Sequence, residues 1–286
     1  MSMETKPSLT WLTIMLALIL ALAPLAAAQE QKAEDTKKEE AQEPEKPEFT
    51  VQVDALSQYV FRGVAFSRTA IVLQPSFTAS YKGFSANIWG NFDPHERNPF
   101  GINSPNRNNP KWNETDFTFS YSRELFKNFT VTGGVIYYAL DSNNAPQDSF
   151  EVFGGFSYKF PWFEVGYSVY REVSHYPGWY MQWCVARSFD LPFWGASLDL
   201  NAGWSAEFSS DKAAFPIPGK NKYYNNLHAG YLQAALNLPL GKYVKVSPKI
   251  IYWYALGGDS TRVINNLSWD RQHNHILGGV SIIATF

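Results

Sequence analysis

The sequence has a single cysteine, Cys184, in 286 residues. A lone thiol forms no internal disulfide, so covalent stapling does not hold this fold together, and a cysteine zinc cluster is excluded with it. Charge imbalance is missing as well, with 24 Lys and Arg against 26 Asp and Glu and a formal charge of −2. A dedicated nucleic-acid binder carries a strong basic excess, so no nucleic-acid partner is expected. No phosphate-cradling glycine loop or dinucleotide fingerprint occurs, and no cofactor is expected. After Ala28 there is also no apolar run long enough to cross a bilayer as a helix.

One apolar run stands before that point, from Trp11 to Ala23, preceded by Lys6 and followed by Ala26-Ala27-Ala28. It is too short for a spanning helix, and the small residues fit cleavage before Gln29, so residues 1–28 read as a secretory signal peptide. The alternative is an uncleaved N-terminal anchor. No cysteine stands at the cleavage position, so lipoprotein processing is not expected. Residues 29–48 carry eight acidic side chains and four lysines and no apolar residue larger than Ala. Such a segment cannot bury enough apolar surface to offset its ordering entropy. It reads as a disordered acidic tether, with contact to a periplasmic partner as the alternative role.

From Phe49 onward, two properties need reconciling. Aromatic residues make up 16% of the chain, yet its mean hydropathy is mildly polar, −0.26. A transmembrane β-barrel produces both, because its strands alternate a lipid-facing apolar side with a polar lumen side. Period-two segments of barrel-strand length recur near 49–61, 70–81, 84–93, 114–124, 129–140, 149–160, 163–172, 179–190, 196–207, 228–239, 243–256 and 275–286. The alternation is clearest where Thr115, Phe117, Phe119 and Tyr121 interleave with Asp116, Thr118, Ser120 and Ser122. It recurs where Phe163, Val165, Tyr167 and Val169 oppose Glu164, Gly166, Ser168 and Tyr170. The expected fold is therefore all-β: one antiparallel barrel of about twelve strands over 49–286, in the bacterial outer membrane.

Loop lengths test this independently. Connections after even-numbered strands are short, such as Lys82-Gly83 and Gly241-Lys242, whereas 94–113, 208–227 and 257–274 are long. Sorting by strand parity is a property of outer-membrane barrels, whose long loops lie outside the cell; a soluble β-sandwich has no reason for it. The long loops are rich in Asn, Pro, Gly and Ser and are expected to lack regular structure. Aromatics cluster at strand ends, as at Trp162, Trp179-Tyr180 and Tyr252-Trp253-Tyr254, as interfacial girdles would. The last strand presents Ile276, Val280, Ile282, Ala284 and Phe286 on one face, and the terminal Phe286 is similar to the assembly signal of outer-membrane proteins, which makes the barrel-assembly machinery an expected partner.

The segment Ser57-Gln58-Tyr59-Val60-Phe61-Arg62-Gly63-Val64, together with Phe286, resembles the opening motif and closing residue of the TorF-type putative porins. The resemblance implies a mid-sized outer-membrane barrel that forms a pore. The long charged tether and Pro75 in the second strand depart from that pattern.

Parity assigns the lumen face to Asp54, Gln58, Arg62, Asn87, Asn91, Glu114, Asp116, Glu151, Glu164, Asp199, Asn201, Lys245 and Lys249. Charges of both signs inside a barrel are costly only if dry and unpaired. Either the interior is wet and forms a narrow channel for small polar solutes or ions, or the charges pair and side chains and loops plug it. Asp54, Arg62, Glu114, Asp116, Glu151, Glu164, Asp199, Lys245 and Lys249 are the selectivity candidates. Arg62, at the outer end of the first strand, is either a fixed selectivity charge or the structural partner of a lumen carboxylate. Catalysis has little to rest on, so no enzyme is expected. His95, His175, His228, His273 and His275 lie near the outer rim without an evident Ser and base partner, which leaves a lipid hydrolase weakly supported. His273-Asn274-His275 puts two imidazoles on one face of a strand, as a metal would need, or else these are exposed loop histidines. The loops around Arg97, Arg107 and Lys111, and around Lys212, Lys220 and Lys222, are mildly basic. They suit outer-membrane lipid and lipopolysaccharide phosphates, and they carry the alternative of a non-conducting structural or adhesive barrel.

Overall fold

The computed structural model describes residues 46–68, 70–96, 109–142 and 146–286. The signal peptide expected at 1–28 and all but the last three residues of the tether at 29–48 lie outside the described residues, as do Arg97 and Arg107.

The elements run β1 (Glu48–Leu56), β2 (Val60–Phe61), β3 (Val64–Ala65), β4 (Val72–Tyr81), β5 (Phe84–Glu96), β6 (Asn109–Phe126), β7 (Phe129–Leu140), β8 (Ser149–Lys159), β9 (Glu164–Glu172), β10 (Gly178–Asp190), β11 (Ser197–Ser209), β12 (Asn225–Leu240), β13 (Val244–Ala255), helix α1 (Gly258–Leu267) and β14 (Asn274–Thr285). Apart from the short β2–β3 pair, these strands form one closed antiparallel barrel of twelve. Consecutive wall strands pair throughout, and β1 pairs β14 with Thr50 opposite Thr285 and Leu56 opposite Gly279. The seam continues past the last paired strand residues, where the Phe49 N–H donates to the Phe286 carbonyl at 3.2 Å and the Phe286 N–H to the Phe49 carbonyl at 2.9 Å.

Closure follows from the alternation. Val53, Phe77, Ile88, Val152 and Ile282 all point outward and are exposed, while Asp54, Gln74, Asn91, Glu151 and Ser281 on the same strands are buried inside. In water such a belt would be an aggregation surface. In hydrocarbon it is the required one, and a closed barrel leaves no backbone group unpaired there. Aromatics gather at the short-turn end, where Tyr81, Phe126, Trp162, Trp194, Tyr243 and Phe286 are exposed, as headgroup girdles do. Among the described residues no helix is long and apolar enough to cross a membrane; the strands do so. The protein is an outer-membrane β-barrel.

The turns obey the parity rule. Lys82 and Gly83, with φ of 48° and 82°, link β4 to β5 in two residues. Two positive φ values make the primed hairpin turn whose twist matches the strands. The described long connections, 210–224 and 256–273, leave from the opposite end, the end that faces out of the cell in outer-membrane barrels.

Three expectations need correction. The first strand stops at Leu56 rather than at 61. Residues 57–68 instead fold into the barrel as the β2–β3 hairpin, whose turn is Arg62 and Gly63 with φ of 51° and 86°. A Cβ on Gly63 would lie 2.6 Å from the Ala229 Cβ, so only glycine fits there. The connection 257–274 holds the helix α1 where no regular structure was expected. Its first turn is acidic at Asp259, and the Ser260 and Thr261 hydroxyls donate to the Gly257 carbonyl at 2.8 Å. Val263 and Ile264 are buried from it. The strands are also longer than expected at the outer rim: β5 reaches Glu96 and β6 starts at Asn109, so that Lys111 is a strand residue.

The hairpin and the helix pack on each other inside the outer mouth. Val64, Ala229 and Ile264 form a buried cluster against Phe66, Trp253 and Leu267, and the Trp269 N–H donates to the Ala65 carbonyl at 2.9 Å. A second cluster of Ile217, Tyr224 and Val263 ties the 210–224 connection to the same helix.

Candidate functional site

The inward hairpin carries Arg62 into the lumen. Its Nη1 and Nη2 donate to the two carboxylate oxygens of Glu151 on β8 at 2.7 and 2.8 Å. The guanidinium also lies 4.1 Å from the Tyr180 ring centroid and 4.7 Å from those of Tyr170 and Phe61. A planar, always-charged fork is the cation suited to a bidentate carboxylate and a flat ring together. The Tyr138 hydroxyl donates to the same Glu151 at 2.8 Å, completing that carboxylate's partners.

Beside this pair stand Glu114 and Asp116, on the inward face of β6. The Tyr59 hydroxyl, from the hairpin stem, donates to Glu114 at 2.8 Å. One buried oxygen of Asp116, Oδ1, has no partner among the described residues. Across the lumen, Glu207 on β11 is 4% exposed. Glu172 at the end of β9 is a turn cap: it accepts from the Ser149 hydroxyl at 3.0 Å and from the Ser174, His175 and Tyr176 amides at 3.0, 3.1 and 2.8 Å. Arg62, Tyr59, Tyr138, Tyr180 and the carboxylates of Glu114, Glu151, Glu172 and Glu207, but not Asp116, line a cavity of about 470 Å³ together with Phe66, Phe215, Leu267 and Trp269.

The remaining candidates lie elsewhere along the barrel. Asp54 and Lys249 pair across the seam at 2.9 Å, and the Ser281 hydroxyl donates to Asp54 as well. Asp199 is held near the short-turn end by Ser188 and Asn237, both at 2.6 Å. Glu164 and Lys245 lie near that same end and make no ion pair among the described residues. The nine candidates therefore form three levels: Arg62, Glu114, Asp116 and Glu151 outermost, Asp54 with Lys249 between, and Glu164, Asp199 and Lys245 innermost.

Arg62 does not stand at the end of the first wall strand but at the tip of an inner hairpin, and its charge is taken up by Glu151. The histidines are not a pair. His275 is buried, its Nδ1 3.2 Å from Asp270, while His273 precedes β14. His228 is buried too, its Nδ1 2.9 Å from the Tyr224 hydroxyl. Sequence reasoning passed over Glu172 and Glu207. The period-two rule that turns Asp199 and Asn201 inward reaches Glu207 six residues on. In the sequence the rings of Tyr138 and Tyr180 look like ordinary girdle aromatics and Tyr59 is part of the opening motif, and only the inward hairpin makes them a site.

Solved barrels resemble this one in outline. The KdgM porin aligns at 9% identity over 84% of this chain and 99% of its own, with a TM-score of 0.47. The NanC porin aligns at 10% identity over 82% and 98%, with a TM-score of 0.47. An outer-membrane channel from Pseudomonas putida F1 aligns at 9% identity over 88% and 100%, also with a TM-score of 0.47. Similarity at this level goes no further than a likeness of barrel architecture. No curated protein matches the chain. Residues 39–203, more than half of the chain, match the model of the family described as "Bacterial protein of unknown function (Gcw_chp)", and the protein belongs to that family.

Proposed function

We propose that the barrel is a narrow channel through which small polar solutes or ions pass passively across the outer membrane. The observation that carries the reading is the charged cavity of about 470 Å³ inside the lumen, continued inward by two further levels of ionisable side chains. A barrel plugged for stability alone would be expected to fill this space with apolar side chains, since buried ion pairs add little to stability over well-packed apolar groups. Twelve strands fall between the eight that fill with side chains and the sixteen that leave a wide channel. Glu151 neutralises Arg62, so the ionisable groups without a cation partner in the outer level are carboxyls, those of Glu114, Asp116 and Glu207, and their ionised forms favour cations. The TorF-type porin assignment suggested by the hairpin motif is the same proposal in family terms. Outer-membrane lipid and lipopolysaccharide at the belt and rim, and the assembly machinery at Phe286, complete the proposed partners. No catalytic role is assigned.

One observation favours a second reading, a non-conducting structural or surface-binding barrel. The β2–β3 hairpin, the 210–224 connection and α1 all fold over the same mouth. Planar-bilayer recording separates the two. The channel reading expects stepwise conductance and a reversal potential of cation-selective sign in a potassium chloride gradient. Electrical silence from a correctly inserted barrel would overturn it in favour of the second.

A further inference from the structure

The outer cavity is short of positive charge. Its charged lining, among the described residues, is Glu114, Glu151, Glu172 and Glu207 against Arg62 alone. Most of these are already engaged. Arg62 is consumed by Glu151, Glu172 by the amides of its own turn, and one oxygen of Glu114 by Tyr59. Glu207 is different. It is 4% exposed and lines the cavity, and its carboxyl accepts no hydrogen bond from another described residue. A carboxyl group removed from bulk water without a donor is costly, and a group that brings donors and positive charge relieves that cost.

The walls add a second requirement. Aromatic rings, among them Phe66, Phe215, Tyr180 and Trp269, make up much of the surface, and ring faces attract cations as well as hydrocarbon. The volume lies within the range that holds small molecules, about 300–1,000 Å³. We propose that this cavity is a binding site for a small organic cation, with an ammonium or guanidinium group on Glu207 and its hydrocarbon part against the aromatic wall. This rests on the channel reading and names its substrate class.

Other ligands fit less well. An anion would face four carboxylates across one already-paired guanidinium. A neutral sugar supplies hydroxyl donors but no charge to set against Glu207. A bare metal ion needs converging ligands, and among the described residues no group of three or more His, Cys, Asp or Glu side chains is arranged to hold one.

The test uses the full chain refolded in detergent micelles, titrated calorimetrically with 1,4-diaminobutane, glucose and sodium acetate. The diamine is expected to bind, with glucose and acetate at least tenfold weaker. Glu207→Gln, which keeps shape and removes charge, should weaken the diamine about tenfold, the scale of one hydrogen bond to a charged group. Phe215→Ala removes an aromatic wall from a connection outside the barrel strands, so it reports on the site even if Glu207→Gln does not fold, and it too should weaken binding. Absence of diamine binding, tighter binding of glucose or acetate, or unchanged affinity in either folded variant overturns the proposal. Conductance of the same preparation keeps the two claims apart. A barrel that conducts but ignores the diamine loses the site and keeps the channel; one that binds the diamine in electrical silence keeps the site and loses the channel.

Discussion

Asp116 and Phe119 lie three residues apart on β6 and face opposite media: Phe119 is 54% exposed on the outside of the barrel, and Asp116 turns a buried oxygen inward. An arginine at Phe119 would meet lipid and cost about 2–4 kcal/mol near the bilayer midplane. At Asp116 it would meet Glu114 and the acidic outer level. Phe119→Arg should therefore lower the urea midpoint of vesicle-embedded barrel, and Asp116→Arg should leave it largely unchanged while shifting the reversal potential toward anions; the reverse pattern would mean a register off by one. Arg62 tests the interior differently. Arg62→Met strands Glu151, 4% exposed, and losing one partner of a buried pair costs about 3–5 kcal/mol. Adding Glu151→Gln removes the stranded charge, so the double variant should regain most of that loss in the same unfolding assay. The inward direction of Glu151 is legible in the sequence, because parity alone sets it. Its partner is not, since 89 residues separate the two and no local pattern encodes a contact across the lumen.

The elements divide along the same line. Every wall strand was visible, because a membrane enforces alternation over ten or so residues and leaves short polar turns between. Elements that answer to other elements were not. Residues 57–65 alternate well enough to prolong β1, yet Arg62-Gly63 is a primed two-residue turn, and a positive φ at both positions folds the chain back. The helix α1 is only ten residues long, and its signals, Asp259-Ser260-Thr261 at the start and Val263, Ile264 and Leu267 on one side, are drowned by a loop composition. What holds it in the outer mouth is ionic as well as apolar: Lys220 donates to Asp259, and Lys222 lies 2.9 Å from it. The hydrogen bonds from Lys220 and Lys222 hold the Asp259 carboxyl at about 2, below its ordinary 3.8. A depressed carboxylate contributes fully above the ordinary value and loses its contribution as pH falls through the depressed one. The clasp should thus be insensitive to pH from neutrality down to about 4 and open as pH approaches 2. Amide exchange in α1, corrected for intrinsic rates, checks this. Asp259→Asn should exchange faster than the native chain at neutral pH, and the two should converge at the acid end. One molar salt, with a screening length of about 3 Å, should speed exchange in the native chain only.

For the whole molecule the decisive event is closure, which joins the first wall strand to the last. Phe286 takes part twice. Its backbone exchanges two hydrogen bonds with Phe49, and its ring stacks on Tyr243 with centroids 5.7 Å apart, exposed at the girdle. The assembly role read from the sequence concerns the ring, while the seam needs only the backbone, and Phe286→Ala separates them. If the ring is an assembly signal, cells expressing Phe286→Ala should show less heat-modifiable barrel in the outer membrane, while purified Phe286→Ala should refold into lipid vesicles about as well as the native chain. Deleting Phe286 removes the seam bonds too, so its refolded barrel should also unfold at lower urea. Residues 29–48 provide the contrast. Their acidic, apolar-poor sequence has no surface to pack, and removing residues 29–45, which leaves β1 whole from Glu48, should leave the unfolding midpoint where it was; a large drop would mean that they dock. If Phe286→Ala instead inserted normally in cells and failed only in vesicles, its ring would be a packing residue of the girdle, and assembly would have to be guided from elsewhere on the last strand.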